Sequence, residues 1–312
     1  TLLRDEQVIL LLNRKGYSTY IQCKDCGYVE ECDSCSIKMS YYKSLNKYKC
    51  NYCGRQIHYT GKCSKCGSTN LIHSGKGIER VEEELRKYFD VPMVKVDSDL
   101  SKNKDNFSKI YKDFLNKKYS ILIGTQIIAK GLHFPDVTLV GVINSDIILN
   151  FPDFRSGEKT FQLLTQVSGR AGRAGKKGKV IIQTYEPENN VIKDSKEENY
   201  ELFYNREINS RKVFSYPPFS KILNIGFSSE DEKRLIEVSR EFYEEIKNQD
   251  IELYGPMPSM VYKVQKRFRM NIFAKGSRAK IDMFKRYLKK KLDEFNDGKV
   301  RIVVDIDPIN LM

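Results

Sequence analysis

The 312-residue sequence predicts a parallel α/β domain interrupted by a metal-binding cysteine module and followed by a second, smaller α/β domain. Three observations carry this prediction. Apolar strand-like runs alternate with amphipathic helical patterns on both sides of the cysteines. All eight cysteines fall between positions 23 and 66, as four C-x-x-C pairs. Pro217 and Pro218 break a charged helical stretch before the alternation resumes.

A chain of this length has room for two or three domains. The predicted boundaries are 1–22 with 67–190 for the first α/β domain, 23–66 for the insertion, 191–218 for a linker and 219–312 for the C-terminal domain. The opening "TLLRDEQVILLLNRKGY" already reads as the inside of a fold, so a partner domain is expected upstream.

In the first domain "QVILLL" reads as a buried strand. "IERVEEELRKYF" is helical, with Val81, Leu85 and Tyr88 at spacings of four and three and Phe89 beside them. "VPMVKV" is a strand, "DNFSKIYKDFLN" a helix, and "SILIGT" and "VTLVGVI" are strands. A helix from about 158 to 172 and the strand "KVIIQTY" complete the pattern. Functional loops in such sheets follow the carboxyl ends of strands. The longest apolar run, "VILLL" at 8–12, suits a strand and not a membrane span, so a soluble, cytoplasmic protein with no membrane partner is expected.

The charge balance, 54 Lys and Arg against 41 Asp and Glu, leaves +13 and points to a polyanionic partner, nucleic acid first. A merely soluble basic enzyme is the plain alternative.

The cysteine pairs are Cys23 and Cys26, Cys32 and Cys35, Cys50 and Cys53, and Cys63 and Cys66. A two-residue gap lets both thiolates of a pair face one tetrahedral ion, so four pairs make two zinc sites. A disulfide framework suits small secreted chains, but this chain shows no signal peptide and no cysteine elsewhere. The middle interval, C-x2-C-x14-C-x2-C, is one residue short of the usual zinc-ribbon window. Four pairs can be grouped in three ways. An insertion must leave and re-enter its host at neighbouring points, which favours a nested grouping: Cys23, Cys26, Cys63 and Cys66 at the neck, and Cys32, Cys35, Cys50 and Cys53 beyond it. Four thiolates leave no open position, so both Zn2+ ions are structural. His58 and His73 flank the cluster without the spacing of a ligand pair. The segment from 14 to 66 holds ten Lys and Arg against four Asp and Glu, a basic surface for DNA or protein.

Two segments of the first domain carry chemistry. In "ILIGTQIIAKGLHFPDVTLV", Gly124, Thr125 and Gln126 end a strand, and Lys130 and Gly131 open the next turn. In "QVSGRAGRAGKKGK", Gln166, Arg170 and Arg173 stand four and three apart on one helical edge, while Phe161, Leu164, Val167 and Ala171 face the sheet. Two aligned guanidinium groups suit bidentate contact with phosphoryl oxygens. A solvated basic helix end is the bland reading. It has to account for Gly169, Gly172 and Gly175, each costing about 1 kcal/mol inside a helix relative to alanine.

These two segments resemble motifs V and VI of superfamily 2 helicases. With the cysteine insertion, "YPPF" and "DIDP", the chain from about residue 5 to 309 resembles the C-terminal part of the primosomal replication-restart DNA helicases, the PriA family. The resemblance implies a RecA-like second helicase lobe with an inserted two-zinc module and a small α/β C-terminal domain. It implies that Gln166, Arg170 and Arg173 act catalytically, reaching across a cleft to ATP and Mg2+ held by a first lobe. Gly124, Thr125 and Gln126 would touch the DNA backbone or couple it to the nucleotide, and Lys130 and Gly131 would line the nucleotide cleft. It also implies 3′-to-5′ unwinding at stalled forks, primosome assembly and replication restart, with other primosome proteins and single-stranded-DNA-binding protein as partners. One departure is His133, where many superfamily members carry aspartate, so no acidic nucleotide contact is assigned there.

No G-x-x-x-x-G-K-[ST] stretch occurs, and no DExH sequence stands ready to hold magnesium. Half a motor is therefore expected, inactive as an ATPase by itself. A non-catalytic zinc-containing DNA-binding adaptor is the competing reading, and a duplex translocase is a third.

In the last third, "KILNIGFS", "MNIFAKG" and "RIVVDID" read as strands, with helices at "EDEKRLIEVSREFYEEIKN" and 278–295. Residues 255–291 hold twelve Lys and Arg against Asp282 alone, interleaved with Tyr262, Phe268, Phe273, Phe284 and Tyr287, most of them expected in the core. Lys263, Lys266, Arg267 and Arg269 are the first candidates for forked or single-stranded DNA.

Overall fold

A computed structural model of the chain describes residues 1–12, 20–74, 78–96, 104–125, 128, 134–169, 178–295 and 298–311. Strand β1 (Gln7–Leu12) is followed by an excursion of five short strands: β2 (Tyr20–Cys23), β3 (Ser40–Tyr42), β4 (Lys47–Lys49), β5 (Gln56–His58) and β6 (Leu71–Ser74). Then come α1 (Ile78–Arg86), β7 (Met93–Val96), α2 (Lys104–Leu115), β8 (Ile121–Gly124), β9 (Val137–Ile143), α3 (Asp146–Leu149), α4 (Ser156–Ser168) and β10 (Lys179–Ile182). Helices α5 (Asn190–Lys196) and α6 (Tyr200–Val213) precede β11 (Lys221–Ser229), α7 (Glu232–Ile246), β12 (Glu252–Val264), β13 (Arg267–Gly276), α8 (Arg278–Glu294) and β14 (Arg301–Ile306). Two compact units result, Thr1–Ser18 with Gly75–Ile208 and Thr19–Ser74 with Asn209–Met312.

The first unit is built on one five-stranded sheet in the order β10-β9-β1-β8-β7, and every pairing is parallel. Central β1 is covered on both faces, which is why its sequence is a continuous apolar run without alternation. Ile9 and Leu11 join Phe114, Val140, Leu164 and Val167 in one cluster. Val8 and Leu12 join Met93, Ile121 and Ile123 in the other, with Val81 and Leu85 of α1 packed on them. Phe114 is fully buried, its ring T-shaped on Phe134 at 4.8 Å. Helix α4 faces the sheet with Leu163, Leu164 and Val167, whereas Phe161, expected on that face, is buried against Phe203 of α6, its ring stacked at 4.2 Å. No helix among the described residues is long and apolar enough to cross a membrane.

Two helix ends differ from expectation. Helix α1 stops at Arg86, and Tyr88 and Phe89 stand in the exposed turn after it. The chain leaves it through a turn in which the Tyr88 and Phe89 N–H groups both donate to the Leu85 carbonyl. Helix α4 ends at Ser168 with Gly169 as its C-cap, so Gly169 closes the helix instead of weakening its interior. The segment after it also leads from α4 into the amino end of β10, and does not follow the carboxyl end of a strand.

In the second unit β2 and β6 pair antiparallel, Tyr20 opposite Ser74 and Cys23 opposite Leu71, so the excursion leaves and returns through one two-stranded stem. Strands β3, β4 and β5 form a small antiparallel sheet beyond it. The C-terminal part follows the order β-α-β-β-α-β with strands arranged β12-β13-β11-β14, a split βαβ topology. Both of its helices cover one face: Leu235, Val238, Phe242, Ile281, Phe284 and Leu288 pack on Leu223, Ile225, Phe227, Met270 and Ile272. Strand β12 is the element the sequence hides, because Gly255, Pro256 and Pro258 interrupt it. As an edge strand bonded only to β13 it tolerates the missing N–H groups.

Candidate metal centres and motor segments

Each C-x-x-C pair is wound into the same knuckle. The first cysteine's N–H donates to the carbonyl five residues on (Cys23 to Tyr28, Cys32 to Ile37, Cys50 to Arg55, Cys63 to Ser68), and its carbonyl accepts from the residue four on, at Gly27, Ser36, Gly54 and Gly67. That fourth residue is left-handed in every knuckle, φ 72°, 49°, 77° and 76° in turn. Three of the four are glycine, which adopts the conformation without a steric penalty. Ser36 is the exception. Ser36→Gly is expected to stabilise the module by about 1 kcal/mol, read as a higher chelator concentration at half-unfolding.

The knuckles converge in nested fashion. The Sγ atoms of Cys23, Cys26, Cys63 and Cys66 lie within 4.8 Å of one another, as do those of Cys32, Cys35, Cys50 and Cys53. Individual separations are 3.6 Å for Cys23 to Cys66, 3.7 Å for Cys26 to Cys63 and 3.6 Å for Cys32 to Cys53. A disulfide needs about 2.05 Å. A tetrahedral ion with Zn–S near 2.3 Å sets sulfurs roughly 3.8 Å apart, so the donor sets fit zinc. Four thiolates saturate the ion, and each site is structural.

The environments differ. At the neck Cys26 and Cys66 are exposed, whereas Cys32, Cys35 and Cys50 of the distal site are fully buried beside Ile21, Met39 and Tyr48. Burial pushes the Cys35 thiol up to about 12, so zinc has to displace a proton held more tightly than on a free thiol. His73 joins neither site and packs its ring against Tyr41 and Tyr59, at 5.4 and 6.0 Å. His58 turns its Nδ1 to the Tyr59 carbonyl at 3.0 Å.

Of the motor residues, Gly124 is buried at the end of β8, opposite Val96. A Cβ there would lie 2.7 Å from the Val96 carbonyl oxygen, so close strand approach alone requires glycine. Thr125 closes the following turn, its N–H donating to Val96 and its carbonyl accepting from Ile128. Gln166 is exposed on the last turn of α4, opposite buried Val167. Gln126, Lys130, Gly131, His133, Arg170, Ala171, Gly172, Arg173 and Gly175 lie outside the described residues.

At the start of α4 stands a residue the motif reading passed over. The Asp153 carboxylate is fully buried, accepts from the Arg155 N–H at 2.9 Å and lies 3.4 Å from the Arg155 guanidinium and 3.5 Å from Lys159. It fixes the amino end of the helix that carries Gln166. Its signal is the charge-rich "PDFRSGEK", which follows no general motif.

The basic candidates of the C-terminal domain gather at one hairpin. Lys263 is the last residue but one of β12, its Nζ 4.8 Å over the Phe268 ring, Lys266 is exposed in the turn, and Arg267 and Arg269 lie in the first three residues of β13. Arg267 donates to the Ser228 carbonyl at 2.9 Å, so part of its fork is committed to the sheet. Strand register places Arg269, Asn271 and Phe273 beside Ser228, Gly226 and Asn224, and these beside Arg301, Val303 and Asp305, on the face without helices. As expected, Phe284 is in the core, with Tyr262, Phe268 and Tyr287 packed against it.

Residues 32–57 match the PriA DNA helicase Cys-rich region (CRR) domain, residues 55–175 the Helicase conserved C-terminal domain and residues 212–309 the Primosomal protein N C-terminal domain. The replication restart protein PriA of Bacillus subtilis (strain 168) is 39% identical over 318 residues, an alignment covering 100% of this chain and 40% of the relative. The Borreliella burgdorferi protein is 37% identical, covering 98% of this chain and 46% of its own length. That of Synechocystis is 32% identical, covering 99% and 38%. The chain spans less than half the length of these curated relatives. With the five-stranded parallel lobe, the two nested cysteine sites and three matching domains in one sequence, the chain belongs to the PriA family.

Proposed function

We propose that the chain supplies the second motor lobe, zinc module and C-terminal domain of an ATP-dependent 3′-to-5′ DNA helicase that acts at stalled forks in replication restart. The observation that carries this reading is the insertion of two four-thiolate sites directly after the central strand of a parallel lobe that matches the helicase C-terminal domain. The parts fall at 1–22 with 67–190, 23–66, 191–218 and 219–312. Gln166, Arg170 and Arg173 contribute to ATP turnover, with Lys130 and Gly131 in the cleft and Gly124, Thr125 and Gln126 toward DNA. ATP and Mg2+ belong to a lobe that carries the phosphate-binding loop. Primosome proteins and single-stranded-DNA-binding protein are partners in a cytoplasmic assembly.

The test is fork-stimulated ATP hydrolysis and strand separation by the natural protein that carries this chain. Hydrolysis with unwinding is expected. Hydrolysis without unwinding would favour a translocase, and DNA binding without hydrolysis an adaptor.

For the C-terminal domain the reading is electrostatic. Lys263, Lys266, Arg267 and Arg269 lie at one end of a sheet whose helix-free face also presents Phe273 and Arg301. Cations beside aromatics suit the phosphates and bases of an unpaired strand. With four phosphate contacts, the log–log salt slope for single-stranded DNA is expected near −3, and Lys266→Ala should flatten it by about 0.7. A flat salt dependence measured by fluorescence anisotropy removes this assignment.

A further inference from the structure

We propose that Gln265 is an outer-sphere partner of the distal metal site: its backbone N–H, at the tip of the β12–β13 hairpin, donates to the zinc-bound Cys35 thiolate and ties the C-terminal sheet to the zinc module. The inference rests on zinc occupying Cys32, Cys35, Cys50 and Cys53. The Gln265 nitrogen lies 3.3 Å from Cys35 Sγ, across 230 residues of sequence. The next amide, Lys266, donates to the Ser34 carbonyl at 2.6 Å, inside the same cysteine knuckle. Val264 packs in the cluster formed by Cys32, Cys35, Cys50 and Met39. Three successive residues of one hairpin thus engage one metal site, two through the backbone and one through an apolar side chain.

The tip itself is unusual. Gln265 and Lys266 both have left-handed backbones, φ 50° and 66°, the pattern of a two-residue turn that favours asparagine and glycine. A left-handed backbone is strained for any residue with a side chain, so the conformation needs support from outside the hairpin. The two amide contacts supply it.

Chemistry gives the contact its dependence on metal. A zinc-bound thiolate carries more charge than a thiol and is the stronger acceptor, as charge-assisted hydrogen bonds generally are. Zinc therefore strengthens the Gln265 contact, and by reciprocity the docked hairpin strengthens zinc binding. Lys263 and Lys266 are carried on that hairpin, so the distal ion holds part of the basic surface in place.

The full chain loaded with NMR-active cadmium provides the direct test. Magnetisation transfer from cadmium to the Gln265 amide proton, across the N–H···S bond, is expected, and a purely steric contact would not produce it. Its absence overturns the proposal. Independently, inserting two glycines between Val264 and Gln265 lifts the amide from Cys35. One of the two zinc ions should then bind roughly 10- to 100-fold more weakly, the usual effect of losing an outer-shell partner, with the neck ion as internal control. Two ions held as in the wild type overturn the proposal alone. A wild-type chain with no metal at the distal cysteines overturns the zinc assignment and the proposal with it.

Discussion

Cys35→Ser is expected to leave the chain with one tightly held zinc ion in place of two and to unfold the outer part of the module. The Cys35 sulfur is fully buried among Cys32, Cys50 and Met39, so the substitution removes a ligand and leaves a hydroxyl among apolar neighbours and thiolates. A structural zinc site contributes on the order of 10–16 kcal/mol to folding its segment. The local sheet cannot replace that, since β3, β4 and β5 have three residues each and their shared core rests on Tyr48 and Ile57. Elemental analysis should find one zinc per chain, and hydrogen exchange should rise between Cys32 and Ile57 while the first unit's sheet stays protected. Two zinc ions in the variant would refute the distal ligand set. The neck site should survive, because its ligands lie on the knuckles that continue from the β2–β6 stem.

Arg170→Ala is expected to abolish ATP turnover in the protein that carries this chain while leaving DNA affinity nearly unchanged. Arginines that reach a nucleotide across a cleft are worth about 10³ to 10⁵ in rate, because they neutralise charge that develops on the transferred phosphoryl group. The scaffold for such a reach is in place up to Gly169. Buried Leu163, Leu164 and Val167 hold α4 on the sheet, Asp153 anchors its amino end, and Gln166 faces outward on the final turn. A steady-state assay with forked DNA at saturating ATP reads the effect in kcat, with anisotropy for the DNA arm. Unchanged turnover would remove Arg170 from the reaction.

Much of this molecule is legible in its sequence because each of its rules is local. A strand buried on both faces is written as "VILLL", and three of the four metal knuckles as C-x-x-C followed directly by glycine. The nested cysteine grouping was also readable, since an insertion has to close its own neck. What the sequence conceals depends on distant partners. Nothing in "IERVEEELRKYF" tells that Tyr88 and Phe89 fall beyond the helix end and stay exposed. Gly124 has a packing reason to be glycine that no local pattern shows, since the carbonyl of Val96, on a neighbouring strand, fills the space a side chain would need. Strand β12 is masked by its own prolines. The meeting of Gln265 with Cys35 joins residues 230 apart and has no local signal at all.

The borders of the two larger sheets bear on how this chain behaves among its own copies. Unpaired strand edges are templates for intermolecular pairing, and short, charged or proline-bearing borders suppress it. The parallel sheet terminates in β7 and β10, four residues each, and the C-terminal sheet terminates on one side in a strand bearing Pro256 and Pro258. Its other border, β14, sets Arg301 and Asp305 among its apolar residues. Short, interrupted and charged rims give a second copy little backbone to extend, which guards a strongly basic protein against fibrillar self-association.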